Sequence, residues 1–294
     1  MANLKETRNR ISSVTTTQQI TKAMKLVAAS KLRRAQSRIV QMRPYADKLY
    51  DMLRNIMAGM EGESISLNFN QEREIKNVLI VLVTSDKGLC GGFNSNLIKT
   101  TNKVVYKKYQ SQFEAGNLEL MTIGKKGNDV FSKSIDVNKD YLQAFSNLNF
   151  EYVSTIAEYA MDGFLKGKYD VVEVVYGKFK NAATQIISAE QFLPLPKLES
   201  TGESTMNADF IYEPQKAELV EELIPKILKT QFYRYLLDSN ASEQGARMVA
   251  MDQATENANE LLNDLKLVYN RERQAAITNE ILEIVGGAAA LEEG

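Results

Sequence analysis

The sequence predicts an α/β protein with unusually long terminal helices, the N- and C-terminal segments pairing as an antiparallel two-helix coiled coil. Three observations carry this. The five prolines and sixteen glycines of the 294 residues punctuate the middle of the chain and leave both ends almost unbroken. Apolar residues at both ends recur three and four apart. The stretch between them alternates strand and helix signals.

The N-terminal element is predicted over residues 1–58, because the first glycine is Gly59 and the only earlier breaker is Pro44. Ile20, Met24 and Val27 form one apolar run. Leu32, Ala35, Ile39, Met42, Tyr45, Leu49, Leu53, Ile56 and Met60 form another, offset by five residues. That offset, with Pro44, predicts a local change of supercoil or a bend. The central domain is predicted over 75–195. Val78 to Thr84 reads as a strand covered on both faces, followed by a Gly-rich turn and a helix from Asn94 to Tyr109. Leu118 to Ile123 is a second strand, with Gly124-Lys125-Lys126-Gly127 behind it. Phe150, Val153, Ala157, Ala160 and Phe164 follow helical spacing, and Val171 to Tyr176 and Thr184 to Ala189 are further strands. Strands alternating with helices predict a Rossmann-like α/β domain with a largely parallel sheet. A polar linker over 196–213, centred on Glu199 to Asn207, precedes the C-terminal helix at 214–287.

That last helix has its own repeat, Met251, Ala254, Ala258, Leu261, Leu265 and Val268, resuming at Ala275 and Leu282. Local signals at Asp238 to Ser242 and at Pro225 leave a break open. Length settles how such helices are used. Uninterrupted, they span ~85 and ~90 Å, whereas a compact chain of this size has a radius of gyration of ~19 Å, so a projecting rod is expected.

Composition excludes several functions. With no His there is no Ser-His-Asp triad, no Cys-His dyad and no His-ligated metal. One Cys gives no internal disulfide or zinc cluster, and a reducing compartment is expected. The longest aliphatic run, Val78 to Val83, is six residues, far short of the ~20 that cross a bilayer, and the chain opens on basic and polar residues unlike a signal peptide. The net charge of −1 conceals an imbalance: residues 1–54 carry twelve basic and three acidic side chains, +9 against −10 elsewhere. A basic arm on an acidic body suits a segment that meets a partner.

The motif nearest to a catalytic one is Ser85-Asp86-Lys87-Gly88-Leu89-Cys90-Gly91-Gly92-Phe93-Asn94, a Gly-rich turn between strand and helix, where α/β folds hold phosphates. Its spacing fits neither the Walker loop nor the dinucleotide fingerprint, and Cys90 has no histidine to act as its base. A tight docking turn built from Asp86, Lys87, Gly88, Cys90, Gly91 and Gly92 is the favoured reading, with a stand-alone nucleotide site as the alternative. A nucleic-acid-binding coiled coil using Lys31-Leu32-Arg33-Arg34 is a second alternative, opposed by the acidic body and the spread of the cations. A membrane-surface helix is disfavoured by the narrow apolar stripe. No catalytic, cofactor or metal residues are assigned.

Four stretches resemble signatures of the γ subunit family of F-type, proton-translocating ATP synthases: Ile11–Lys31 (ISSVTTTQQITKAMKLVAASK), Ser85–Asn94 (SDKGLCGGFN), Ala241–Met251 (ASEQGARMVAM) and Tyr269–Glu280 (YNRERQAAITNE). They stand in the family's order and span nearly the whole chain. The resemblance implies a non-catalytic rotor shaft, a peripheral membrane protein on the cytoplasmic face of the bacterial inner membrane. Its implied partners are three α and three β subunits around the shaft, the ε subunit and the membrane c-ring, with no nucleic acid and no cofactor. It also implies that Arg247, Arg273, Gln274, Thr278 and Glu280 contact β-subunit catch loops. Lys22 and Met24 match the segment where the N-terminal helix faces the same region. Ile281 to Leu291 would be a tip turning in an apolar sleeve, and Leu291 to Gly294 extends past the usual end. The precedent also favours continuous helix through Asp238 to Ser242, and the redox insertion of chloroplast relatives is absent.

Overall fold

The computed structural model describes residues 2–58, 69, 73–195 and 216–292. They fall into two units, residues 1–28 with 248–294 and residues 29–247. The linker expected over 196–213 lies outside the described residues, as do Gly59, Met60, Glu293, Gly294 and the side chains of Leu53 and Ile56.

Two helices run through both units: α1, Ala2–Ala58, of 57 residues, and α6, Lys216–Glu292, of 77. Within the first unit they pair antiparallel. Thr7 Oγ1 donates to Glu272 Oε2 at 2.9 Å, Gln18 bonds to Asn259, the hydroxyls of Thr21 and Thr255 lie 2.8 Å apart, and Lys25 Nζ donates to Asp252 Oδ1 at 2.5 Å. As the α1 number rises from 7 to 25, the α6 number falls from 272 to 252.

These contacts correct the seam. Burial on α1 follows Leu4, Thr7, Ile11, Val14, Gln18, Thr21, Lys25 and Ala28, alternating three and four, and continues at the same spacing through Leu32, Ala35, Ile39, Met42, Ala46 and Leu49. No five-residue offset exists. Ile20 and Val27 are 54% and 56% exposed, and at the second run's Tyr45 the buried residue is Ala46. Apolarity was a poor guide because the seam passes through polar residues that satisfy one another across it. The helix also passes Pro44 without losing the repeat. On α6 the inward series is Met251, Thr255, Ala258, Leu262, Leu265, Tyr269, Glu272 and Ala276. Leu261 and Val268, expected in the seam, are each 44% exposed, and Ala275 and Leu282 also face outward.

The second unit holds a five-stranded sheet in the order β3-β2-β1-β4-β5. The strands are β1 (Val78–Val83), β2 (Leu118–Ile123), β3 (Val137–Asn138), β4 (Val171–Phe179) and β5 (Gln185–Leu193). All neighbours are parallel except β4 and β5, so the largely parallel expectation holds. Every residue of β1 is fully buried, as its unbroken aliphatic run requires. Leu79, Val81 and Val83 face a core built from α5 (Phe150–Leu165) and the early turns of α6, including Ile224, Leu228 and Phe232. Val78, Ile80 and Leu82 face α2 (Phe93–Lys103), through Phe93 and Leu97, and Phe131 of α4 (Lys125–Phe131). Asn149 begins α5, its side chain accepting from Tyr152 N at 2.8 Å.

The helix expected from Asn94 to Tyr109 is interrupted. After α2 the backbone widens to a π turn at Val104–Lys108, before the short α3 (Gln110–Glu114). The turn brings Lys108 Nζ and Tyr109 Oη within 2.6 and 2.8 Å of Glu173, a β4 carboxylate only 1% exposed. Helix α6 does not break at Asp238–Ser242. One of its local capping candidates is used in a tertiary contact instead: Ser242 Oγ donates to Gly177 O at 3.0 Å.

Candidate functional site

In an open parallel sheet the ligand crevice lies outside the carboxyl ends of the strands, where successive connections leave in opposite directions. Here that point falls between β1 and β4, and the Gly-rich turn Ser85–Gly92 follows β1 into it. The turn is held by side chains at both ends. Ser85 N donates to Asn94 Oδ1 at 3.1 Å, Asn94 Nδ2 donates to Ser85 Oγ at 2.7 Å, and Ser85 Oγ donates to Lys87 O at 2.7 Å. Asn94 Nδ2 also reaches Cys90 Sγ at 3.2 Å, and the thiol is 2% exposed. At the neighbouring strand end Gly124 has φ +93°, and an added Cβ would lie 2.1 Å from Thr84 O, so β-carbon-free backbone is required there.

Helix α6 packs against this crevice. A Cβ on Gly177 would meet Phe93 at 2.6 Å and Ser242 at 3.2 Å. Above it, Arg247 Nη1 donates to Glu243 Oε1 at 2.5 Å, while Nη2 donates to the carbonyls of Lys87 and Gly88 at 2.9 and 3.2 Å. Burial pushes the Glu243 carboxyl up and Arg247 pulls it back. Beside this pair a cleft of about 260 Å³ is lined by Lys31, Arg34 and Arg38 of α1 with Asp86, Lys87 and Arg247. The basic arm thus contributes three cations to a single cleft edge.

The expected partner-contact residues separate into three places. Arg247 is 9% exposed and bonded within the chain. In the other unit, Arg273, Gln274, Thr278 and Glu280 are exposed near the end of α6, on turns level with or beyond Thr7. Lys22 and the half-buried Met24 lie beside the Thr21–Thr255 and Lys25–Asp252 contacts. About twenty residues of α6 separate those two levels, ~30 Å of helix, so Lys22 and Met24 do not share a level with Arg273. Of the docking-turn residues, Lys87, Gly91 and Gly92 are exposed, Asp86 and Gly88 half-buried, and Cys90 buried. Glu243 was not foreseen. Its signal was the i, i+4 spacing to Arg247 inside Ala241–Met251.

The first unit also exposes large apolar residues outside its seam: Leu26 at 65%, Leu267 at 70% and Ile277 at 45%, besides Ile20, Val27 and Leu261. Among the described residues no helix is long and apolar enough to cross a membrane, and no group of metal-ligating side chains is present.

A paired-helix unit with exposed apolar residues, and an α/β unit whose Gly-rich turn is braced by its own long helix, define an α/β protein with long paired terminal helices. Comparison with known proteins gives the family. A family model described as ATP synthase matches residues 3–291. The chain is 55% identical over 294 residues to the ATP synthase gamma chain of Cytophaga hutchinsonii and 55% over 292 residues to that of Flavobacterium johnsoniae, covering 99% of each chain in both comparisons. Among solved structures it is similar to the Tetrahymena thermophila mitochondrial ATP synthase central stalk/c-ring, with 27% identity and TM-score 0.57 over 80% of this chain and 99% of that one. A Euglena gracilis mitochondrial ATP synthase chain shares the fold at TM-score 0.66 and 21% identity, over 100% of this chain and 96% of that one. The chain belongs to the ATP synthase gamma chain family.

Proposed function

We infer that this chain, the central rotor shaft of an ATP synthase, couples turning of the membrane c-ring to the catalytic β subunits without performing chemistry itself. The observation that carries this reading is the set of large apolar residues exposed on the first unit outside its seam. An isolated coiled coil keeps such residues in its seam; a shaft that turns inside a sleeve also needs them outside. Three α and three β subunits would form that sleeve, with the ε subunit and the c-ring at the other unit and the whole held peripherally at the cytoplasmic face of a bacterial inner membrane. The mechanism is a population shift: each shaft orientation must contact the open and closed β states unequally, or rotation biases nothing. The exposed set Arg273, Gln274, Thr278 and Glu280 supplies polar contacts to β catch loops at one level, and Lys22 and Met24 supply a second. The cationic cleft at Lys31, Arg34 and Arg38 suits an acidic loop on β.

The test is reconstitution. Purified chain added to α plus β is expected to restore steady ATPase activity and, with the ion-translocating membrane sector, ATP-driven ion pumping. A chain that bound α and β but left ATPase and pumping at background would overturn the reading.

A further inference from the structure

Lys31, Arg34 and Arg38 are exposed residues of α1 at i, i+3 and i+7, so one face of the helix brings all three to the same cleft of about 260 Å³ in the second unit. Lys87 of the Gly-rich turn and Arg247 of α6 also line it, which sets five cations against two carboxylates, Asp86 and Glu243. Both carboxylates are already engaged. Glu243 accepts from Arg247 and Gln244, with Lys31 adding to the pull on it, and Asp86 Oδ1 accepts from Lys125 N at 3.3 Å. Arg247 spends its other bonds on the carbonyls of Lys87 and Gly88, and Arg38 donates to Leu148 O at 3.4 Å. Among the described residues, no hydrogen bond or ion pair takes up the side chains of Lys31, Arg34 and Lys87. Like charges gathered in one concavity repel one another, and a bound anion relieves that repulsion.

We propose that this cleft binds a small anion of the pyrophosphate class, two linked phosphate groups held by Lys31 and Arg34 with Lys87 of the turn as the third cation. Side chains three apart on a helix stand about 5–6 Å from each other, a separation suited to an anion that spreads its charge over two groups. The Arg34 fork matches phosphate oxygens in pairs, and Lys31 and Lys87 act as point charges. Phe145 and Leu148 give the cleft an apolar wall, which concentrates the field of the cations. The volume is several times the ~30 Å³ share of one water. This site goes beyond the coupling role above and needs no partner subunit.

The test is calorimetric titration of the full-length chain with inorganic pyrophosphate in about 0.1 M salt, where exposed charges more than ~10 Å apart are largely screened. Saturable binding at one site is expected. Arg34→Gln and Lys31→Gln should each weaken it roughly tenfold or more, the factor for removing one charge-assisted bond. Both positions are exposed, so the variants keep the fold and the comparison stays readable. Lys133→Gln removes the same charge from an exposed position outside the cleft and should bind like the native chain. Inorganic phosphate, which meets one cation of the pair at a time, should bind about tenfold more weakly. Absence of saturable binding to the native chain would overturn the site, as would full binding in both cleft variants. Equal weakening in Lys133→Gln would reduce it to diffuse attraction, and inorganic phosphate binding as tightly as pyrophosphate would overturn the two-phosphate assignment. The titration contains neither α nor β, so a failed reconstitution strikes the coupling reading alone and a failed titration strikes this site alone.

Discussion

Two residues show how little slack the second unit has. A methyl group on Gly177 would lie 2.6 Å from the Phe93 ring and 3.2 Å from Ser242, so Gly177→Ala must push α2 or α6 off the sheet. It is expected to destabilise the chain by about 1–3 kcal/mol, read as a lower denaturant midpoint at unchanged slope. Asp238 is only 6% exposed on α6, and its nearest cation, Arg234, stands 3.9 Å away. Burial pushes this carboxyl up to about 6 despite Arg234, Arg43 and Lys178, with Glu190 adding to the rise. The folded chain therefore holds this proton more tightly than the unfolded chain does. The stability it contributes is fully present below the ordinary value of 3.8 and is lost as pH rises through about 6. Asp238→Asn is accordingly expected to raise the melting temperature by several degrees at pH 8, an effect of at most about 3 kcal/mol, and to do nothing near pH 3.5. An equal shift at both pH values would show that the carboxylate is not destabilising.

At the scale of the element, the helices and their class were legible, because helix needs only the absence of breakers and a repeat. The register of the hairpin was not. The apolar residues of α1 and α6 lie on two faces, one buried in the seam and one exposed, and an apolar count cannot tell them apart. Thr7, Gln18, Thr21 and Lys25 hold the seam by polar pairing instead, an arrangement that fixes register more than stability. Adjacent leucines test this. Leu262→Ala should lower stability by about 2–4 kcal/mol and Leu261→Ala by less than about 0.5, measured by thermal melts followed by circular dichroism. Leu265→Asp, at a seam position common to both readings, should melt the hairpin outright. Equal effects at 261 and 262 would refute the seam described above. Strand β3 and helix α4 escaped notice because each is short, and the π turn because it leaves apolar spacing nearly unchanged.

For the whole molecule, coupling and folding should be separable by mutation. Arg273 is exposed and lies outside the seam, so Arg273→Ala is expected to leave the melting temperature within about a degree while reducing ATP-driven pumping in the reconstituted complex. Unchanged pumping would remove Arg273 from the contact set. The basic arm is a molecule-scale feature of the same kind. Its +9 is visible in composition, but its use is not: Lys25 pairs with Asp252 in the hairpin, while Lys31, Arg34 and Arg38 line a cleft.

What the sequence by itself determined was the class of the chain: two rod-length helices and a largely parallel sheet after the first aliphatic strand. These follow from local rules, breaker placement and periodicity, which need no knowledge of what lies opposite. Only the tertiary structure decided which face of each helix is the seam, that α6 runs unbroken and packs against the turn after β1, and that Arg247 faces inward to Glu243 and the Gly-rich turn. Those outcomes depend on pairing between residues from 65 to 265 positions apart, such as Ser242 with Gly177, Arg247 with Lys87 and Thr7 with Glu272. Their energies come from geometry in space, and a single chain read in order does not contain it.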